Sequence, residues 1–343
     1  MSLAPFSFKV PSVHDGENVA DDLAGALVAG QLSARTRRAY TSDLAEMLGV
    51  WNSWNLALPE VTRDHLHAWR RWLDGETLPG LPTKAKSCAP ATISRKVSVA
   101  RSFFGEAFDR GLITVNPAAR LRGFALSDES KTMGLSARQA SDLLGAIDAS
   151  SLIGLRDRAI LSLMLRTGPR RMDVIQATVG ALGESQGHHI LRLTMSKGRK
   201  DRTLKLPVDV WRYVEEWRAE ARKSRDEKPD GSTPLFCAVM RSGRKPNTIY
   251  TTNRGADPAD AGQSPLSEKA LWKIVVKRAK AAGIAENITP HSTRHTFITL
   301  ALDGGAPLQK VQAAAGHADP RTTERYWRTK QNLDDNAVDY VRF

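Results

Sequence analysis

Cysteine is nearly absent: Cys88 and Cys237 are the only two in 343 residues, and neither has a second cysteine or a histidine pair at metal-ligand spacing. Neither a disulfide framework nor a zinc site is indicated, and both thiols read as buried or incidental groups in a reducing compartment. No stretch approaches the roughly 18 apolar residues that a membrane-spanning helix needs. The N-terminus lacks the charged start and apolar core of a signal peptide, so a cytoplasmic, nucleoid-associated protein with no membrane partner is expected. Also missing are the carboxylate clusters of a two-metal nuclease and the G-x-x-x-x-G-K-[ST] phosphate loop, and no cofactor or metal is expected. Acidic residues are in deficit. Against 50 Lys and Arg stand 37 Asp and Glu, a net charge of +13 with a pI near 9.9. Such a balance suits a polyanionic partner, although a merely well-solvated basic surface would read the same. The excess is uneven: residues 1–128 hold 15 basic against 13 acidic side chains, and residues 129–343 hold 35 against 24.

What is present points to two domains, since the length suffices for two ordinary cores. Residues 1–20 are polar and aperiodic and read as a disordered tail. From Ala34 to Trp54, apolar residues recur at three- and four-residue steps (Tyr40, Leu44, Met47, Leu48, Trp51, Trp54) behind Ser33 as N-cap, the pattern of an amphipathic helix. Helices are also predicted over about 62–74 and 91–110, with a short one after Asn116-Pro117. Together these make residues 21–122 an all-helical domain. Its Arg35, Arg37, Arg38, Lys84, Lys86, Arg95, Lys96 and Arg101 are candidates for DNA phosphate contacts, or equally a solvated helix face. A polar segment, 123–134, reads as the linker to a second domain over 135–343.

That second domain opens on an S-x-x-Q capping pair, Ser136 and Gln139. A helix over about 156–166 stops at Thr167-Gly168-Pro169, and a short helical stretch follows from Arg170. Two β-like runs, HILRLTM and TLKLPV, flank the basic turn Ser196–Asp201 and predict a hairpin. Further helices are expected near 209–224, 267–282, 291–303 and 307–315, and Asp319-Pro320 begins a last one that carries Tyr326. The fold class is therefore mainly α with a small antiparallel β-sheet.

Chemistry-bearing residues gather in short motifs of this second domain: Thr167-Gly168-Pro169-Arg170-Arg171-Met172-Asp173, Lys197 in the hairpin turn, His291-Ser292-Thr293-Arg294-His295, Gly316-His317, and Thr322-Thr323-Glu324-Arg325-Tyr326. His317 follows Arg294 by 23 residues, and Tyr326 follows His317 by 9. Permanently charged, fork-shaped guanidinium groups suit a phosphorane, and a tyrosyl phosphodiester keeps the bond energy needed for rejoining. His291 and His295, four apart on one helix, could instead ligate a metal, but no third ligand is evident.

In these motifs and intervals the chain closely resembles the tyrosine recombinase (phage integrase) family. The resemblance implies a helical core-binding domain and a mixed α/β catalytic domain closing on duplex DNA as a C-shaped clamp. It implies site-specific DNA recombination through a 3′-phosphotyrosine and a Holliday junction, by a homotetramer on two sites. By the same resemblance Arg170 and Arg294 clamp the scissile phosphate, Lys197 protonates the leaving 5′ oxygen, His291 assists proton transfer at the tyrosine, His317 bonds a phosphate oxygen, and Tyr326 attacks. Register alone prefers Arg170 over Arg171 as the clamp. Lys200 shares the basic turn with Lys197, and Arg171, Arg199 and Lys200 join the candidate DNA contacts. Asp173 reads as a helix-start cap or as a partner of a catalytic arginine. The C-terminal segment, Asn332 to Phe343 with Tyr340, is expected to interact with a neighbouring protomer. The competing readings are a relaxase resembling type IB topoisomerases and a DNA-binding regulator that kept the fold.

Overall fold

The structure is a computed structural model that describes residues 19–31, 33–83, 86–124, 134–193, 201–223, 229–239, 249–250 and 265–327. The chain divides into two compact units, residues 1–127 and 128–343.

The first unit is a helical bundle: α1 (Val19–Ala29), α2 (Ala34–Ser53), α3 (Arg63–Leu73) and α4 (Pro90–Asp109). Ser33 Oγ accepts from Thr36 N at 3.0 Å, which satisfies one of the amide donors left over at the start of α2. Thr62 does the same for α3, and Pro90 starts α4 where its missing N–H costs nothing. Leu44, Met47, Trp51, Leu66, Trp69, Ile93, Phe103 and Phe104 fill the core. The two phenylalanines meet edge to face with ring centres 5.3 Å apart. Two expectations are corrected here. Helix α1 begins at Val19, inside the stretch assigned to the tail, because Leu23 finds a fully buried seat in the bundle. After Asn116 there is a turn rather than a helix, with Asn116 Oδ1 accepting from Ala118 N at 2.9 Å.

In the second unit α5 (Ala137–Gly145) and α6 (Leu152–Thr167) are followed by α7 (Arg171–Gln176). A three-stranded antiparallel sheet then forms from β1 (Leu182–Ser185), β2 (His188–Leu193) and β3 (Arg202–Lys205). After it come α8 (Val208–Lys223), a two-stranded ribbon of β4 (Ala238–Val239) and β5 (Ile249–Tyr250), and helices α9 (Glu268–Ala281), α10 (Pro290–Asp303), α11 (Leu308–Ala315) and α12 (Pro320–Trp327). Helix α6 is buried nearly all round and packs on α8 and α10; its buried charges are paired, Arg156 with Asp157 at 2.8 Å and Asp157 with Arg278 at 2.7 Å. Strand β1 is an addition to the predicted hairpin. Its residues, Leu-Gly-Glu-Ser, carry little strand preference, and it is paired because Gln186 and Gly187, both at positive φ, make the tight two-residue turn that folds it onto β2.

Candidate active site

Two helix ends make the site. α6 terminates at Thr167 with Gly168 in the left-handed conformation (φ +59°), and α11 terminates at Ala315 with Gly316 likewise (φ +64°). Only glycine serves at these two positions: a Cβ on Gly168 would lie 2.2 Å from Phe297 Cδ1, and one on Gly316 would lie 2.6 Å from Arg202 Nη1. A helix C-terminus leaves carbonyls without amide partners and carries the negative end of the helix dipole, so it attracts cations.

Three arginines from three different elements answer that demand. Arg202, the first residue of β3, donates from Nη1 to Ala314 O at 3.1 Å. Arg294, from α10, donates from Nη2 to Ala315 O at 2.6 Å and from Nη1 to Gly168 O at 2.7 Å, so it ties the two helix ends together. Arg170, immediately before α7, donates from Nη2 to Gly316 O at 2.5 Å. Consecutive carbonyls of one helix end thus each hold a different guanidinium group. Asp173 adds a carboxylate beneath them: its Oδ2 accepts from Arg170 N at 2.8 Å and from Arg202 Nη2 at 2.9 Å. It is therefore both a cap of α7 and the partner of an arginine, and that arginine is Arg202.

Crowding of like charges in a dry place weakens them. Arg294 is only 4 % exposed, and burial first, then the Arg170 and Arg202 charges, pull its guanidinium down to about 10. It remains a cation at neutral pH. Burial and the same three arginines hold the His317 imidazole at about 4, so it is neutral, with Nδ1 2.8 Å from Thr323 Oγ1. His291 lies exposed at the start of α10, and partial desolvation together with Arg294 lowers its imidazole as well.

Tyr326 sits in α12, buried against Ile298, Val311 and Ala315. Its ring centre is 4.5 Å from that of His295 and 6.2 Å from that of His317. Burial raises its phenol above the ordinary range, and the Arg294 charge opposes that rise.

Among the predicted site residues, Arg170, Arg294, His317 and Tyr326 converge, with His291 at the margin. Lys197, Arg199 and Lys200 lie outside the described residues. Arg171 turns away to pair with Glu268 on α9. Among the proposed DNA contacts, Lys86, Arg38 and Arg101 are exposed, and Arg37 donates to Gln31 O at 3.0 Å. Arg95 pairs with Asp43, while Lys84 and the Arg35 side chain lie outside the description. Lys96 is a correction: it is buried, with Nζ 3.1 Å from Asp43 and 2.9 Å from Glu46, and belongs to the core of the bundle. Its apolar neighbours Val97, Ala100 and Phe103 signalled an inward position that charge alone concealed.

Sequence reasoning missed Arg202; it weighed His295 only as a metal ligand, whereas its ring packs on Tyr326, and in the first unit it did not foresee a cleft of about 670 Å³ whose lining includes Arg63, Arg70, Arg101, Arg120 and Arg122. Arg202 is five residues beyond Lys197, at the mouth of the same hairpin. The apolar alternation that marks the strand begins only at Thr203, so the arginine carries no pattern of its own. Among the described residues no group of three or more His, Cys, Asp or Glu side chains is arranged to hold a metal, and no described helix is long and apolar enough to cross a membrane.

Comparison with known proteins adds independent support. Residues 134–332 match the phage integrase family, and residues 25–111 match the N-terminal SAM-like domain of phage integrases. The chain is 31 % identical over 302 residues to tyrosine recombinase XerD of Xanthomonas campestris, covering 86 % of this chain and 82 % of that one. With XerD of Pseudomonas putida it shares 28 % over 299 residues, 86 % of this chain and 87 % of the relative. The fold is similar to that of XerH site-specific recombinase bound to its palindromic substrate (TM-score 0.64, 18 % identity, 92 % and 82 % coverage). It is also similar to a lambda integrase dimer on a core site (TM-score 0.63, 16 % identity, 92 % and 96 % coverage). On its family match, its motifs and the convergence of their side chains, this chain belongs to the phage integrase family and is a site-specific tyrosine recombinase.

Proposed function

We propose that Tyr326 is the nucleophile, and that the oxygen of its phenol bonds to the phosphorus of one DNA phosphate while the bond to the 5′ oxygen breaks. The tyrosyl proton passes to His291, and Lys197 gives a proton to the departing 5′ oxygen. Arg170 and Arg294 take the non-bridging oxygens, and His317 donates a further hydrogen bond to the phosphate as a neutral imidazole. A 3′-phosphotyrosine remains, and attack by the 5′ hydroxyl of a second strand reverses the step without ATP. Two rounds of exchange pass through a Holliday junction held by four protomers on two duplex sites. Residues 135–343 form the catalytic domain, and residues 21–122 grip the DNA backbone with the arginines of their cleft.

The observation that carries this reading is the meeting of Arg170, Arg294 and His317 at one helix end, with the Tyr326 ring 6.2 Å from that of His317. Preorganised donors in a dry site are worth most where negative charge develops, and a phosphorane is such a place. The test is a nicked duplex from which the released fragment diffuses away, built on the sequence that the protein enriches from a random pool. Wild-type protein should accumulate a denaturant-resistant protein–DNA adduct. Tyr326→Phe should bind the same duplex and form none, whereas Tyr340→Phe should keep the adduct. An adduct that survives in Tyr326→Phe would end the proposal.

A further inference from the structure

Arg202 has no place in the motifs that identify the site, yet it is built into it from two sides. It is nearly buried (11 % side-chain exposure), pairs with Asp173 at 2.9 Å, and reaches the last turn of α11 at Ala314 O. The absent Cβ of Gly316 leaves the space its guanidinium group fills. Its Nε is also buried and has no hydrogen-bond partner among the described residues. A buried cation beside two other arginines costs free energy, and such an arrangement persists when something else depends on it.

What depends on it follows from the connections. Through Asp173, Arg202 is joined to the backbone of Arg170, since one carboxylate oxygen accepts from both. Through Ala314 O it is joined to the helix end whose next carbonyls hold Arg294 and Arg170, and whose next residue is His317. It is also the residue from which β3 departs, so that strand is anchored at the same cluster of arginines. We propose that Arg202 is a positioning residue for strand cleavage: it fixes the end of α11 to the start of α7 and to β3, and thereby sets Arg170 and His317 on a single phosphate. This rests on the function proposed above.

The groups that act on His317 are Arg294, Arg170, Arg202 and His291, with Thr323 on its Nδ1 and the Tyr326 ring beside it. Removing Arg202 deletes one of the charges that depress the imidazole. Full-length wild type, Arg202→Met and Arg202→Lys are therefore compared in two experiments. In histidine NMR without DNA, the His317 pKa should rise in Arg202→Met and stay near the wild-type value in Arg202→Lys. In single-turnover adduct formation on the nicked duplex, Arg202→Met should be slower by about tenfold or more at saturating protein, with duplex affinity within about twofold. Arg202→Lys should recover part of that rate, because it keeps the charge and loses the fork. An unchanged rate in Arg202→Met overturns the proposal, as does a loss that merely follows lost affinity or lost folded fraction in thermal melts. An unmoved His317 pKa overturns the placement on which it is built. Tyr326→Phe runs alongside: an adduct there defeats the assigned nucleophile and leaves the NMR comparison to judge Arg202.

Discussion

Arginines do different physical work in the two units. In the catalytic unit Arg294 and Arg202 are withdrawn from water and held by backbone carbonyls at helix ends. In the first unit Arg63, Arg101, Arg120 and Arg122 line a cleft and remain exposed. A desolvated, carbonyl-held guanidinium needs no reorganisation when a phosphate arrives, so it acts on the transition state. Exposed ones that exchange water and counterions for phosphate would act on affinity, which is the role proposed for the cleft. Residue type does not separate the two kinds; the surroundings do.

The sharpest way to break this comparison is Arg294→Lys. A lysine keeps the charge but cannot reach Gly168 O and Ala315 O together, so adduct formation should fall by roughly 10²–10³-fold with duplex affinity nearly unchanged. A loss confined to affinity would place Arg294 in the other class. Lys96→Met tests the opposite assignment in the first unit. It strips Asp43, 2 % exposed, of a buried partner, and should cost about 3 kcal/mol in chemical denaturation while leaving the salt dependence of DNA binding untouched. For the cleft itself, Arg101→Gln and Arg120→Gln should each reduce the slope of log affinity against log salt by about one, with no change in adduct rate at saturation. Gel-shift titrations at several salt concentrations decide it.

The smallest effect expected is on stability against pH. His317 titrates near 4 when folded and near its ordinary 6.5 when unfolded, so the unfolded chain binds the proton first. Its contribution to stability is full above about 6.5 and is lost as pH falls toward about 4; His291 and His295 shift in the same direction. The melting temperature should therefore decline over that window, and less steeply in His317→Gln. An equal slope in the mutant would mean that His317 is not the neutral, half-buried imidazole described.

Much of this was legible in the sequence wherever local periodicity and packing agree. The helices around Trp51, Trp69 and Phe103 follow from apolar spacing, and the helix stop at Thr167-Gly168 follows from glycine's tolerance of positive φ. The motif residues Arg170, Arg294, His317 and Tyr326 stand out by their spacing alone. Less legible were the features made by long-range contact. Helix α1 depends on a seat for Leu23, and strand β1 on a partner strand. The burial of Lys96 depends on two carboxylates some fifty positions earlier in the chain, and the role of Arg202 on a carbonyl 112 positions later. Charge is the property a linear reading judges worst, because an arginine on a hairpin and one on a helix face look alike until their neighbours are known.

The central claim is that the phenol of Tyr326 carries the broken strand. It is tested most directly by digesting the trapped protein–DNA adduct with protease and nuclease and locating the added mass by tandem mass spectrometry. The account predicts a 3′-phosphonucleotide on Tyr326 and on no other residue. A modified Tyr213 or Tyr340, or a DNA 5′-phosphate on any tyrosine, would contradict it.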